Sequence, residues 1–164
     1  MFKVSRKSEY ALMAVQHLAR SSGQQVVSVA DLAVQADIPP DVLAKVLQSM
    51  KRVGILRAVK GASGGYGLAR GPAEIRFLDV VQPFEEQLAV VSCQTPDGDC
   101  ERTDTCTLRD PMSVLNAFVI RQFESLTMDM FVAPHNWLHA GSRGMAATAA
   151  TSMARRGLEA AGHL

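Results

Sequence analysis

The sequence predicts a mostly α-helical fold, a winged helix-turn-helix with a two-stranded wing and a long C-terminal helix. Three observations carry that expectation. Two short amphipathic helical patterns are separated by a proline break, a glycine-rich hairpin follows at once, and a wide apolar helical stripe begins after residue 110. With 164 residues, 48% of them apolar, the chain can bury one core of ordinary size, so one compact domain with extensions is expected.

From Ser5 to Arg20 the apolar residues Tyr10, Met13, Ala14, Val15 and Leu18 recur at helical spacing, which gives a first helix. A polar turn follows at residues 21–25. Ser28 then stands as an N-cap, with Asp31 three residues later in the capping-box position, and a second helix covers Val29 to Ala36. The prolines of Asp37-Ile-Pro-Pro break it, because proline has no amide donor to continue a helix yet is well placed in the first turn of the next. A third helix runs from Pro40 to Val53, with Val42, Leu43, Val46, Leu47 and Met50 on one stripe and Gly54 as its C-terminal stop.

Two strand-like runs come next, Ile55 to Val59 and Tyr66 to Ala69, joined by a basic, glycine-rich loop. A further helix is expected over Phe77 to Glu86 and an irregular loop over residues 92–110. Pro111 opens a long helix to about Met130, whose apolar face includes Val114, Leu115, Phe118, Val119, Phe123, Leu126 and Met130. Such a face needs a partner surface. Residues 133–164 read as a loose tail or a marginal terminal helix. The expected organisation is a winged helix-turn-helix domain over 1–90, a cysteine-bearing loop over 91–110, the long helix over 111–132 and the tail.

Net charge is +1, but it is unevenly distributed. Residues 1–70 hold ten Lys or Arg against four Asp or Glu, and residues 71–164 hold seven against twelve. A basic half joined to an acidic half suits a nucleic-acid module attached to a regulatory one, since Lys and Arg supply phosphate contacts. No apolar run approaches the length of a membrane span, and the N-terminus runs straight into a helical pattern, so a cytoplasmic protein is expected.

In this arrangement the third helix enters the major groove of double-stranded DNA and the wing lies on the backbone. Pro40 and Asp41 would stand nearest the groove floor. Ala44, Lys45 and Gln48 follow on the solvent side, Gln being suited to adenine and Lys to guanine or phosphate. Lys51, together with Arg57, Lys60, Ser63, Gly64 and Tyr66 of the wing and Ser28 at the second helix, completes the expected DNA-contacting set.

The three cysteines, Cys93, Cys100 and Cys106, are spaced C-x6-C-x5-C among acidic residues. An odd count in a reducing compartment argues against a disulfide framework, whereas soft thiolates on a flexible loop suit iron-sulfur clusters, zinc or thiol redox chemistry. A reversible Cys100–Cys106 disulfide and inert thiols are the alternatives. An enzyme is not expected: there is no Cys-x-x-Cys at a helix start, no phosphate-cradling loop beyond the wing and no His-carboxylate set at helical spacing.

Four stretches give the chain a family likeness over Phe2 to Met130. They are Ser8-Glu-Tyr-Ala-Leu, Ile38-Pro-Pro-Asp-Val-Leu-Ala-Lys-Val-Leu, the Gly-Gly-Tyr wing within residues 54–70, and the cysteine trio. By these marks the sequence resembles the Rrf-two type family of winged-helix transcription regulators, which includes iron-sulfur proteins of the IscR and NsrR kinds. The resemblance implies a homodimer built on the long helix, binding partly palindromic promoter sites, usually as a repressor. It also implies a [2Fe-2S] or [4Fe-4S] cluster held by Cys93, Cys100 and Cys106.

IscR-like members place a histidine three residues after the third cysteine, where this chain has Arg109. NsrR-like members use an acidic residue of the partner's first helix, a position that Glu9 matches. The first cysteine gap is one residue longer than the family's usual C-x5-C-x5-C. The competing expectation is a cluster-free regulator of the same fold that responds through a thiol switch, a small molecule or a partner protein.

Overall fold

In a computed structural model, residues 4–21, 25–61, 63–85, 88–95, 98, 100–102 and 104–132 are described. The expected tail over 133–164, with His135 and His139, lies outside them. Helix α1 (Arg6–Arg20) starts at the N-cap Ser5, whose Oγ accepts the Ser8 amide at 3.4 Å. Its core-facing residues are Ala11, Ala14, Val15 and Leu18, while Met13 turns to solvent at 40% exposure, so the core stripe lies slightly to one side of the expected one.

Helix α2 (Val29–Ala36) has the expected bounds, and Ser28 Oγ accepts the Asp31 amide at 3.1 Å. Its end is sharper than the prolines alone would make it. Asp37 adopts the left-handed conformation at φ 53°, and the Ile38 amide reaches back to the Ala33 carbonyl at 3.0 Å. Helix α3 (Pro40–Arg52) ends in the same way: Gly54 sits at φ 76°, its amide donates to Lys51, and the Ile55 amide donates to Met50 at 3.0 Å. Ile55 and Met50, the two residues so joined, are both fully buried. This double reversal aims the chain from α3 straight into the wing.

The wing is an antiparallel pair, β1 (Leu56–Val59) and β2 (Gly65–Leu68), in register Leu56↔Leu68 to Val59↔Gly65. The first strand is one residue shorter than expected and the second begins and ends one residue earlier, although Ala69 still donates to the Ile55 carbonyl at 2.9 Å. The sequence reading missed a third extended segment. Val27 and Tyr66 exchange both backbone hydrogen bonds at 2.9 Å, which stitches the residue before the α2 N-cap to the outer edge of β2. Gly65 is required there, because a Cβ would run into the Val27 carbonyl.

The expected helix Phe77–Glu86 is a correction. Helix α4 covers Phe77–Val81 and then tightens into a 3-10 turn at Gln82–Phe84. Pro83 cannot donate to an α-helical ladder, and Glu85 is drawn away to α1. The long helix is corrected too. Helix α5 (Arg109–Ser125) begins earlier than Pro111 and stops short of Met130, and the short helix α6 (Met128–Val132) resumes after a break.

Tertiary hydrogen bonds make that break. The Phe77 amide donates to the Leu126 carbonyl at 2.8 Å and the Met128 amide donates to the Ile75 carbonyl at 2.9 Å, so Leu126 and Thr127 are extended beside Arg76. Phe77 stacks on Phe123 and Phe131, ring centroids 5.4 and 5.8 Å away, and fastens both helices to α4. The main core joins α1, α2, α3 and the wing around fully buried Val15, Leu32, Leu43, Leu47, Met50 and Ile55.

Candidate nucleic-acid interface and cysteine segment

Helix α3 has a buried and an exposed face, although Val42, expected on the apolar stripe, is exposed. Leu43, Val46, Leu47 and Met50 are buried, while Pro40, Asp41, Lys45, Gln48 and Lys51 are exposed and Ala44 is half-buried at the boundary. The expected reading residues therefore share one solvent face of a helix whose opposite face is locked into the core. That is the rigidity a base-reading element needs, because a side chain discriminates bases only when its backbone is fixed.

In the wing, Arg57, Lys60 and Ser63 are exposed, and Gly64 and Tyr66 are half-buried. Arg57 is partly committed within the fold: its Nε donates to the Leu68 carbonyl at 3.1 Å across the hairpin. The Ser28 hydroxyl is likewise engaged, accepting the Asp31 amide and donating to the Asp31 carboxylate at 2.6 Å. Lys45, Lys51, Arg52, Arg57 and Lys60, the cations of α3 and the wing, are all exposed.

The three thiols sit at intermediate burial. Cys93 lies in a 3-10 turn at Ser92–Gln94, and Cys106 offers its carbonyl to the Arg109 amide at 3.3 Å where α5 begins. The segment is tied to α5 by the Val90 amide, which donates to Asn116 Oδ1 at 2.9 Å, and by Gln94 Nε2, which donates to the Arg109 carbonyl at 3.4 Å.

Among the described residues, no three Cys, His, Asp or Glu side chains stand together as a metal site. Glu9 is exposed on α1 and pairs with Arg6 at 3.2 Å. The expected ligands Cys93, Cys100, Cys106 and Glu9 are thus not gathered into one site within this chain. By donor chemistry they suit a cluster, since three soft, part-exposed thiols lie on a segment with little regular structure. By placement the segment must close to bring them together.

One feature at the junction of these regions escaped the sequence reading. Glu85 Oε1 accepts the Ser5 amide at 2.7 Å and a short hydrogen bond from the hydroxyl of fully buried Ser8. Burial raises the Glu85 pKa, but the hydrogen bonds from the Ser8 hydroxyl and from Ser5 outweigh it and hold the carboxyl below its usual range. The start of α1 is thereby clasped to the residue that ends the Gln82–Phe84 turn. A serine three residues into an otherwise apolar helix face was its trace in the sequence.

Comparison with known proteins adds a shared ancestry to this geometry. The family described as Rrf2, iron-dependent transcriptional regulator, matches residues 4–134. The transcriptional regulator NsrR of Geobacillus kaustophilus is 30% identical over 128 residues, covering 77% of this chain and 86% of that protein. Among solved structures, CymR, the global cysteine regulator of B. subtilis, superposes with a TM-score of 0.69 at 21% identity, covering 81% of this chain and 98% of that one. IscR of T. potens superposes at 0.63 with 23% identity, covering 81% and 88%. These likenesses establish the winged-helix fold. No described helix is long and apolar enough to cross a membrane.

Proposed function

This chain belongs to the Rrf2 family of transcriptional regulators, and on that premise we propose that two copies of it hold a partly palindromic promoter site and repress transcription until the cysteine segment changes state. The observation that carries this reading is the two-faced α3, buried on one side and bearing Asp41, Lys45, Gln48 and Lys51 on the other, with the basic wing immediately after it. In this reading Asp41, Ala44, Lys45 and Gln48 meet base edges. Lys51, Lys60 and Ser63 meet phosphate, with Arg57 and Ser28 holding the wing and α2 in shape.

Dimerisation falls to α5. None of its 17 residues is buried, and Val114, Leu115 and Phe118 are 72%, 42% and 58% exposed. A second copy related by a two-fold axis would cover that face and place two α3 helices on successive turns of one side of the duplex.

The input is an iron-sulfur cluster, [2Fe-2S] or [4Fe-4S], for which Cys93, Cys100 and Cys106 supply thiolates and Glu9 of the second copy the fourth ligand. When bound, it supplies redox and nitric oxide reactivity. The chain's own part is mechanical. Hydrogen bonds from Val90 and Gln94 tie the segment to α5, and upstream of it the Glu85 clasp ties the Gln82–Phe84 turn to the start of α1. Closing or opening the loop therefore bears on both the dimer helix and the reading head.

Titrating a promoter fragment with anaerobically purified protein, alongside its visible spectrum and iron and sulfide content, tests this. A cysteine-dependent chromophore is expected, with at least tenfold different DNA affinity in Cys93→Ala. A colourless protein that binds DNA as tightly as Cys93→Ala would instead favour the cluster-free regulator. In the same assay Lys51→Ala should lower the salt slope of binding by about one and weaken all sequences alike.

A further inference from the structure

A cleft of about 540 Å³ lies where α1, α3 and the 3-10 turn at Gln82–Phe84 meet, and the reading above gives it no role. Its apolar wall is Val42, Val46, Pro83 and Phe84, and its polar groups are Lys7, Lys45, Ser49 and Glu85. Val42, Lys45, Val46 and Ser49 follow one another at i, i+3, i+4 and i+7, so the cleft runs along the edge of α3 between its buried and exposed faces. Its size and its mixture of an apolar wall with a few polar groups are those of a small-molecule site.

The charges decide what kind of molecule. Lys7 and Lys45 are both exposed cations at this cleft. Two lysines stand against one carboxylate, Glu85, whose Oε1 is hydrogen-bonded to Ser5 and Ser8, so the cleft lining carries one positive charge in excess. We infer that the cleft binds a small amphipathic carboxylic acid, its apolar body against Val42, Val46, Pro83 and Phe84 and its carboxylate on Lys7 and Lys45, and that its occupation withholds Lys45 from DNA. An ion-paired ammonium on one side of α3 is no longer available to phosphate or guanine on the other. This regulatory half rests on the reading of α3 as the DNA-contacting helix; acid binding itself does not.

Calorimetric titration of the full chain, without DNA, with 3-phenylpropionate and with octanoate tests the site. Saturable binding of at least one acid is expected, with at least tenfold weaker binding of 3-phenylpropionamide and of either acid to Lys7→Glu, because each change removes a charge-assisted contact. Lys7 is exposed, so the variant should fold, and its circular dichroism spectrum verifies this. Absence of saturable binding, or equal binding of acid and amide, or indifference to Lys7→Glu, overturns the site.

With a promoter fragment present, saturating acid should weaken DNA binding about tenfold, and by much less in Lys45→Ala, whose contact is already gone. Unchanged DNA affinity at saturation overturns the coupling. A chain that binds acid but no duplex at all refutes the reading of α3 and leaves the acid site standing on its calorimetry.

Discussion

Helices α3 and α5 are similar in length, yet they stand at opposite extremes of burial. Helix α3 sends four large side chains into the core, with Leu43, Leu47 and Met50 fully buried. Helix α5 has no buried residue, and its large apolar side chains Val114, Leu115 and Phe118 face solvent. An exposed apolar stripe of this kind contributes little to the fold that carries it and much to whatever covers it. The core that holds α3 is therefore complete in one chain, whereas the apolar face of α5 is left uncovered in it.

The sharpest way to break that contrast is to truncate one residue on each helix. Leu47→Ala should destabilise the chain by about 3 kcal/mol in denaturant unfolding, through lost burial and the cavity left behind. Phe118→Ala should change stability by no more than about 0.5 kcal/mol at concentrations where the protein is monomeric. Phe118→Asp should raise the dimer dissociation constant at least tenfold in sedimentation, because it places a charge in an apolar contact. If Phe118→Asp dimerises as the parent does, α5 is not the interface.

The Glu85 clasp at the start of α1 has a pH dependence of definite sign. Its folded-state pKa is held below the unfolded value. The unfolded chain then takes up the proton first, so the stabilisation is complete above the unfolded pKa and is lost as pH falls through the folded one. Thermal unfolding across the acid range should show Glu85→Gln less stable than the parent by no more than about 1 kcal/mol near neutrality, since solvent screens the group, with the two converging at low pH. A constant difference down to the acid limit would show that the clasp does not depend on charge.

The smallest effect belongs to Asp37. It holds φ 53° at the turn between α2 and α3, a conformation that glycine adopts without the Cβ penalty. Asp37→Gly should raise stability by about 0.5 kcal/mol, part of the relief being offset by the greater freedom of glycine in the unfolded chain. A loss of stability would mean that the aspartate side chain supports the turn.

The sequence by itself determined α2, α3, the wing and the exposed set on α3. Each depends on local chemistry: the Ser28 cap, the Pro40 start, the Gly54 stop, and an apolar stripe repeating at helical spacing. Contacts between residues far apart decided the rest. The Val27–Tyr66 pairing, the Glu85 clasp and the break at Leu126–Thr127 all join segments tens of residues apart. At Leu126 and Thr127 the helical pattern continues unbroken, but hydrogen bonds with Ile75 and Phe77 are worth more to the backbone than one further turn of helix. Periodicity records which face of an element is apolar, whereas only the assembled tertiary structure decides what, if anything, lies against it.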